Sequence, residues 1–393
     1  MGQTAFFWLV VKVSDICYTQ TKLFEIRGSD CVKETIAIAM SGGVDSSVAA
    51  YLLQQQGYHG TGVTLRLFDM NDLAPGQAEH CKALHDLSDA KVVAAHLGME
   101  HHTLDVTEEF RTQVMNDFIR AYEQGKTPNP CVVCNRTIKF GRMLELVQEL
   151  GCSLLATGHY AQLERDANGR ILLKRAKHPE KDQSYVLWSL SQQQFSHVRL
   201  PLGGLSKEEI RTIAQEQGLV SAKKRDSQDI CFVPDGDYVS FIRHRTQKTY
   251  PEGQFCDSNG TVLGTHRGII EYTVGQRRGL GVSSNQGRLY VNRVIPETNQ
   301  VILSDNADLF HNGLTANQLN LIPMDKLDAP LRVQAKVRYR MEPQPATLIQ
   351  TGEDTAQVIF DKPQRAITPG QSVVFYDGDY VVGGATILEG ADV

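Results

Sequence analysis

The chain has 393 residues, with 40 Lys and Arg against 45 Asp and Glu, a net charge of −5 and eight cysteines. That length allows two or three domains, and the apolar fraction is that of an ordinary globular protein. The charge excludes a surface that attracts polyanions everywhere, so any nucleic-acid contact must be local, and eight cysteines in so long a chain exclude a disulfide scaffold.

Residues 1–34 carry Trp8, Cys17 and Cys31 without a clear period. They fit an extra strand, a weak targeting segment or a mistaken start codon, and equally a loosely attached extension, the reading favoured here. The apolar stretch Phe6–Val11 is too short to span a membrane, and no signal peptide is evident. A reducing cytoplasmic setting with no membrane association is therefore expected.

Regular patterning begins at Thr35. Thr35–Met40 is a nearly unbroken apolar run, as in a parallel strand buried on both faces. A glycine-containing turn, Ser41–Asp45, leads into a helix over Ser46–Gln56. Strands are expected at Gly62–Phe68, His101–Val106 and Cys152–Thr157. Helices are expected at Leu87–Leu97, Glu108–Glu123 and about Thr137–Leu150, the second with Phe110, Val114, Phe118 and Tyr122 four residues apart. Lys126–Asn135 reads as a loop. This alternation predicts a parallel α/β domain over 35–218. Ser206–Glu209 reads as a capping box for a helix over Lys207–Gln217. A small mixed segment over 219–287 follows, then a β-barrel over 288–393 with turns at Asn312-Gly313, Pro369-Gly370 and Asp377-Gly378.

Three motifs carry chemistry. Ser41-Gly42-Gly43-Val44-Asp45-Ser46 lies between strand and helix. Its two glycines let backbone N–H groups approach an anion, and the helix N-terminus favours negative charge. Asp45 is a candidate Mg²⁺ ligand. No Walker lysine is present, so this is not the usual phosphate loop. The second motif is Thr127-Pro128-Asn129-Pro130-Cys131-Val132-Val133-Cys134-Asn135, a proline-stiffened loop with Cys134 just before a helix, where N-terminal amides lower a thiol pKa, and with Arg136 and Lys139 adding positive charge. The third is Lys223–Phe232, where Cys231 follows a basic stretch; a structural role for this cysteine fits the local sequence equally well.

SGGVDS resembles the signature of the PP-loop ATP pyrophosphatases, which split ATP between the α and β phosphates and adenylate an oxygen. The stretches AMSGGVDSS, TPNPxxxCNRxIKF, ATGHYA, KDQSY, DSQDICF, YTVGQRRGLG, VRYR and TPGQSVVFY, in this order, resemble the bacterial tRNA-specific 2-thiouridylases from about residue 34 to the end. The resemblance implies an α/β PP-loop domain, a small central domain and a C-terminal β-barrel. It implies ATP-dependent replacement of the C2 oxygen of a wobble uridine by sulfur, with tRNA as partner, ATP and Mg²⁺ as cofactors, and a sulfur-relay protein or cysteine desulfurase as donor to a monomeric enzyme. Cys231 would carry a persulfide and Cys134 would resolve it.

By the same resemblance Ala39, Met40, Ser41, Gly42, Gly43, Val44, Asp45, Ser46, Leu65 and Gly158 would line the ATP site. Asn129, Pro130 and Cys131 would meet the target base. His159, Lys181, Asp182, Gln183, Arg338, Tyr339 and Gln371 would contact tRNA. The residues themselves suggest a basic track, since Arg332, Gln334, Lys336, Arg338 and Arg340 alternate with Val333, Ala335, Val337 and Tyr339; Arg277-Arg278 would extend it. One departure stands out: the best-known members of the family have an aspartate where this chain has Cys131. Cys131, Cys134 and Cys231 are thus candidate iron–sulfur ligands, with a plain substitution as the alternative. A PP-loop amidotransferase or ligase, and a non-catalytic tRNA-binding protein, are the competing functions.

Overall fold

The computed structural model describes residues 34–77, 81–224, 230–282 and 287–392. The extension over 1–34 thus lies, but for Glu34, outside the described residues. The first strand, β1 (Thr35–Ala39), has Ile36, Ala37 and Ile38 fully buried. The helix α1 (Val44–Gln55) follows a short turn and buries Val48, Ala49 and Leu53. Next come β2 (His59–Arg66), α2 (Lys82–His96) and β3 (His101–Asp105).

Two long helices follow. The first, α3, runs over 107–123 and contains a π-helical stretch at Arg111–Met115. Its four-residue rhythm is used as expected: Phe110, Val114, Phe118 and Tyr122 are all buried. The second, α4, runs over 130–149 with a wider π-helical stretch at Asn135–Arg142. It starts seven residues earlier than the sequence pattern indicates. Pro130 occupies the first helical position, where its missing N–H costs nothing, so the proline that reads as loop is a helix start. The strands β4 (Leu154–Ala156), β5 (Ala161–Arg165) and β6 (Ile171–Arg175), the helix α5 (Gln192–Ser196), the strand β7 (Val198–Arg199) and the helix α6 (Lys207–Glu216) complete this region. The capping box at α6 is present: Ser206 Oγ accepts from the Glu209 N–H, and Glu209 accepts from the Ser206 N–H.

Five strands form a parallel sheet in the order β3-β2-β1-β4-β7. The chain runs outward from β1 through β2 and β3, then returns to the other side of β1 at β4. The crevice beyond the carboxyl ends of β1 and β4 is therefore the topological switch point, where such sheets bind ligands.

The helix α7 (Tyr238–Thr246) opens the middle region. The strands β8 (Gly253–Cys256), β9 (Val262–His266), β10 (Tyr290–Ile295) and β11 (Gln300–Ser304) make a four-stranded sheet in the order β10-β11-β8-β9. Residues 290–304, which the sequence pattern groups with the barrel, pair here. The strands β12 (Phe310–Leu321), β13 (Leu331–Lys336), β14 (Gln344–Gln350), β15 (Ala356–Arg365), β16 (Ser372–Asp377) and β17 (Tyr380–Ala391) follow. They close into an antiparallel six-strand barrel through β12–β17 pairing. The expected α/β fold with a small middle unit and a C-terminal barrel is thus present.

Two features tie these parts together. The hairpin β5–β6 joins the barrel sheet at one residue pair, Tyr380 with Lys174. Fully buried Trp188 donates to Ser372 Oγ at 3.0 Å, and Tyr185 donates to the Ser372 carbonyl at 2.7 Å. Gly384 is required opposite the indole, since a Cβ there would lie 2.5 Å from a Trp188 ring carbon.

The middle region is pinned by Asp72, whose carboxylate is only 1% exposed. It accepts from Arg111 at 2.8 Å and from Arg245, on α7, at 2.7 Å. Burial alone would raise the Asp72 pKa, but the Arg111 hydrogen bonds, the Asp69 N–H and the charges of Arg111 and Arg245 outweigh it and hold it below the ordinary value. A carboxyl with a depressed folded pKa stabilises the fold above its unfolded pKa and loses that contribution as pH falls through the folded value. Asp72→Ala should therefore destabilise the protein by about 3 kcal/mol at pH 7, the low end for a broken buried pair because both arginines are partly exposed. Thermal melts from pH 7 down to pH 2 should show the difference from wild type shrinking below about pH 4; a pH-independent difference would contradict the assignment.

Candidate active site

The turn between β1 and α1 carries the Ser41–Ser46 motif. Gly42 has φ of +70°, a conformation glycine adopts without strain. Ser46 Oγ accepts from the Ser41 N–H at 3.2 Å and donates to the Gly43 carbonyl at 3.1 Å. Ser47 Oγ donates to the same carbonyl at 2.9 Å. These bonds tie the turn, which follows the carboxyl end of β1, to the first residues of α1. Met40 is buried beneath the loop, where its carbonyl accepts from Thr64 Oγ1 at 2.6 Å. Leu65, on β2, is half-buried and pairs in register with Leu104.

Asp45 takes a different part from the one its position suggests. Its Oδ1 accepts from the Tyr160 hydroxyl at 2.5 Å and from Lys207 Nζ at 2.7 Å. Lys207 is nearly buried, so this is a mostly desolvated ion pair that locks α6 to the start of α1. A carboxylate neutralised in this way is a poor protein ligand for Mg²⁺. The sequence held no signal for this pair, whose members are 162 residues apart.

Gly158 lies at the carboxyl end of β4, hard against the loop. A Cβ there would come within 3.0 Å of the Asp45 carbonyl carbon and the Ser46 nitrogen. The next residue, His159, bonds through Nδ1 to Thr157 Oγ1 at 2.8 Å, and its ring lies 5.7 Å from that of Phe140 on α4. Burial, with a smaller push from Lys139, drives the His159 pKa well below the usual imidazole value, so the ring is neutral at physiological pH.

The three thiols are neighbours, near enough for the charge on one to act on another, and all three feel Lys139. Cys131 and Cys231 expose surface to solvent, whereas Cys134 is buried. Electrostatic coupling links Cys231 to both Cys134 and Cys131. Cys81 is a fourth member of the group: its thiol lies 3.9 Å from the Cys231 carbonyl. No motif in the sequence marks Cys81.

All three thiols are raised, against the lowering expected at a helix start. Burial raises Cys134 to about 11, and the protein packed around Cys131 and Cys231 raises them too, Cys231 by more, although both residues keep some surface open to solvent. Cys134 lies at the fifth position of α4, past the free amides that lower a thiol pKa. The opposing influence is Lys139, one wide helical turn beyond Cys134, which lowers Cys131, Cys134 and Cys231 alike. Lys139 is thus the cation shared by the thiol group and His159. Among the described residues, no three His, Cys, Asp or Glu side chains are arranged to hold a metal ion. The donor set does not fit an iron–sulfur cluster in this conformation.

The residues singled out as RNA contacts converge around the same loop, but much of their bonding is spent within the protein. Asn129 caps α4. Gln371 donates to the Thr127 and Pro128 carbonyls at 2.9 and 3.2 Å. Gln183 accepts from the Tyr160 N–H at 2.9 Å, and Asp182 accepts from the Ala176 and Ser184 amides. Lys181, half-buried, ends the turn Pro179–Lys181. Arg338 donates to the Ala366 carbonyl at 2.6 Å and to Thr368 Oγ1 at 2.9 Å. Arg332 is held by Asp361, and Lys336 lies over the rings of Tyr185 and Tyr339, so the alternating basic track is largely paired. Because β13 ends at Lys336, Tyr339 leaves the apolar face and is 40% exposed. Its hydroxyl donates to the Asp182 carbonyl at 3.1 Å, and it is electrostatically coupled to Cys131.

Comparison with known proteins agrees with this layout. A family model described as "tRNA methyl transferase HUP domain" matches residues 34–235. A "tRNA methyl transferase PRC-barrel domain" matches 239–305, and an "Aminomethyltransferase beta-barrel domain" matches 311–387. A tRNA-specific 2-thiouridylase MnmA of Clostridioides difficile is 46% identical over 357 residues, covering 91% of this chain and 98% of that protein. The MnmA 1 of Caldanaerobacter subterraneus is 47% identical over 358 residues, with the same coverage. A solved 4-thiouridine synthetase–RNA complex with bound ATP aligns at 16% identity and a TM-score of 0.32, covering 55% of this chain and 50% of that one. At this identity over nearly the whole length of its relatives, the chain belongs to the tRNA-specific 2-thiouridylase family.

Proposed function

We propose that the protein thiolates a uridine of tRNA at C2 using ATP. The observation that carries this reading is the sharing of one wall by the anion-binding loop and the thiol group. Gly158 touches the loop, its neighbour His159 feels Lys139, and Lys139 acts on Cys131, Cys134 and Cys231.

In this reading the loop 41–46 holds the β- and γ-phosphates of ATP, and its amides stabilise the pyrophosphate as it leaves. The uridine O2 attacks the α-phosphorus, so a P–O bond forms to O2 and the bond to pyrophosphate breaks. Cys231 carries a persulfide supplied by a sulfur donor. Its terminal sulfur attacks C2, the C2–O bond breaks, and AMP departs. The Cys134 thiolate then attacks Cys231 Sγ, which leaves sulfur on C2 and a Cys134–Cys231 disulfide. An external thiol reductant and a fresh persulfide donor restore the enzyme. Tyr339 and the Asn129–Cys131 turn flank the thiols and receive the base, and His159, Lys181, Asp182, Gln183, Arg338 and Gln371 shape the surface around it. Mg²⁺ arriving with ATP supplies charge neutralisation on the phosphates; Asp45 supports α1 rather than the ion. A PP-loop amidotransferase would have no use for a group of neighbouring thiols under one shared lysine.

Cys231→Ser should abolish 2-thiouridine formation, read by mass spectrometry of digested tRNA, while tRNA affinity changes less than about twofold. Full activity in this variant would remove the persulfide role. A second expectation concerns pH. The thiols are raised, so alkylation of Cys134 by iodoacetamide should be slow at pH 7 and climb toward pH 11. Lys139→Met should shift the alkylation profiles of Cys131, Cys134 and Cys231 to higher pH; unmoved profiles would mean that Lys139 does not favour the thiolates.

A further inference from the structure

The middle region contains a cavity of about 320 Å³ that the reaction described above does not use. Arg277 and Arg288 line it, together with Gly279, Leu280, Gly281 and Val282. Gly279 and Gly281 have φ of +80° and +66°, conformations that glycine adopts without strain and that turn the backbone sharply along the cavity lining.

The charge at this cavity is unlike that elsewhere in the same region. Arg243 and Arg267 share Glu271, and Arg245 is held by Asp72. Arg277, Arg278 and Arg288 are exposed, and the described residues offer none of them a carboxylate. Unpaired guanidinium groups beside a glycine turn form a fork suited to phosphate oxygens.

The cavity is also joined to the thiol site. Thr127 Oγ1, in the loop before Cys131, donates to Thr273 Oγ1 at 3.1 Å. From Thr273 the chain runs directly to the cavity wall. Gln276 fixes this turn, accepting from the Thr273 N–H and donating to the Arg278 carbonyl. Gly275 packs against the barrel, where a Cβ would lie 3.6 Å from Arg365 Nη1 and 3.7 Å from Arg338 Nη2. Arg365 in turn lies over the Tyr290 ring at 5.1 Å, two residues past Arg288. Cations therefore continue from Arg338, beside Tyr339, to Arg277 and Arg288. Thr273 and Gly279 are six residues apart, which limits the span to roughly 20 Å, or about six base pairs of stem.

We infer that the Arg277–Arg288 cavity binds a backbone phosphodiester of the RNA stem next to the loop that carries the target uridine. It supplies affinity and sets the angle of the RNA, with no role in base choice. This inference rests on the reading of the protein as a tRNA-thiolating enzyme.

The test is the affinity of the full-length protein for unmodified tRNA, measured by filter binding across a KCl series. Arg277→Gln/Arg288→Gln should weaken binding about tenfold at 0.1 M salt. It should also flatten the log Kd against log salt slope by about one unit for each phosphate that is no longer neutralised. Arg277→Lys/Arg288→Lys, which keeps the charges, should retain most of the slope, separating charge loss from misfolding. A wild-type Kd and slope in the Gln variant would overturn the cavity assignment alone. Failure of the wild-type protein to bind tRNA would overturn the functional reading with it. Titration with pyrophosphate provides the other arm: if the double Gln variant loses pyrophosphate binding but keeps tRNA binding, the cavity serves a free polyphosphate and the RNA assignment falls.

Discussion

The architecture of the site depends on one close approach, that of Gly158 to the first turn of α1. With no side chain at 158, the end of β4 lies against the backbone of Asp45 and Ser46. Any Cβ would force the two apart. This packing brings the turn carrying His159 up to the phosphate loop and, through Phe140 and Lys139, draws α4 and its cysteines to the same wall. The Asp45–Lys207 pair clamps the other side of α1. The turn at Ser41–Ser46 and the cysteines of α4 are thereby linked through one wall although Ser46 and Cys131 are 85 positions apart in the chain.

Under the function proposed above, the electrostatics of the thiols suit a site that stays inert until loaded. Burial raises each thiol, so a resting cysteine at neutral pH is mostly protonated and a weak nucleophile. One shared ammonium, that of Lys139, works against this for all three. A bare thiolate open to any electrophile would be wasted by side reactions in the absence of RNA. Docked RNA would add its own charge and displace water.

Much of this was legible in the sequence. The strand–turn–helix around Ser41–Ser46, the buried face of Phe110–Tyr122 and the capping box at Ser206 all rest on local rules, and the structure shows each of them. What was not legible is long-range or depends on burial. The early start of α4 was hidden because two prolines read as a loop, although one of them sits at a helix start. The direction of the Cys134 shift was misjudged because local sequence shows the nearby helix end but not the protein mass around it. The basic strand alternates as expected only as far as Lys336, where β13 ends; Asp361, Ala366 and Thr368 take up Arg332 and Arg338, and these partners lie 28 to 30 residues away. The pairing of Asp45 with Lys207, and the approach of Cys81 to Cys231, left no trace at all.

The hairpin β5–β6 begins immediately after the wall residues Gly158 and His159, yet its far strand hydrogen-bonds to the barrel. The same short stretch of chain therefore belongs to both ends of the molecule. A lever is the apt mechanical image: a push on the barrel at β17 is delivered to residues that press on the phosphate loop. The barrel and the turn at Ser41–Ser46 are thereby connected through a single covalent segment, and the barrel is not a module that could be exchanged between enzymes without also exchanging that hairpin.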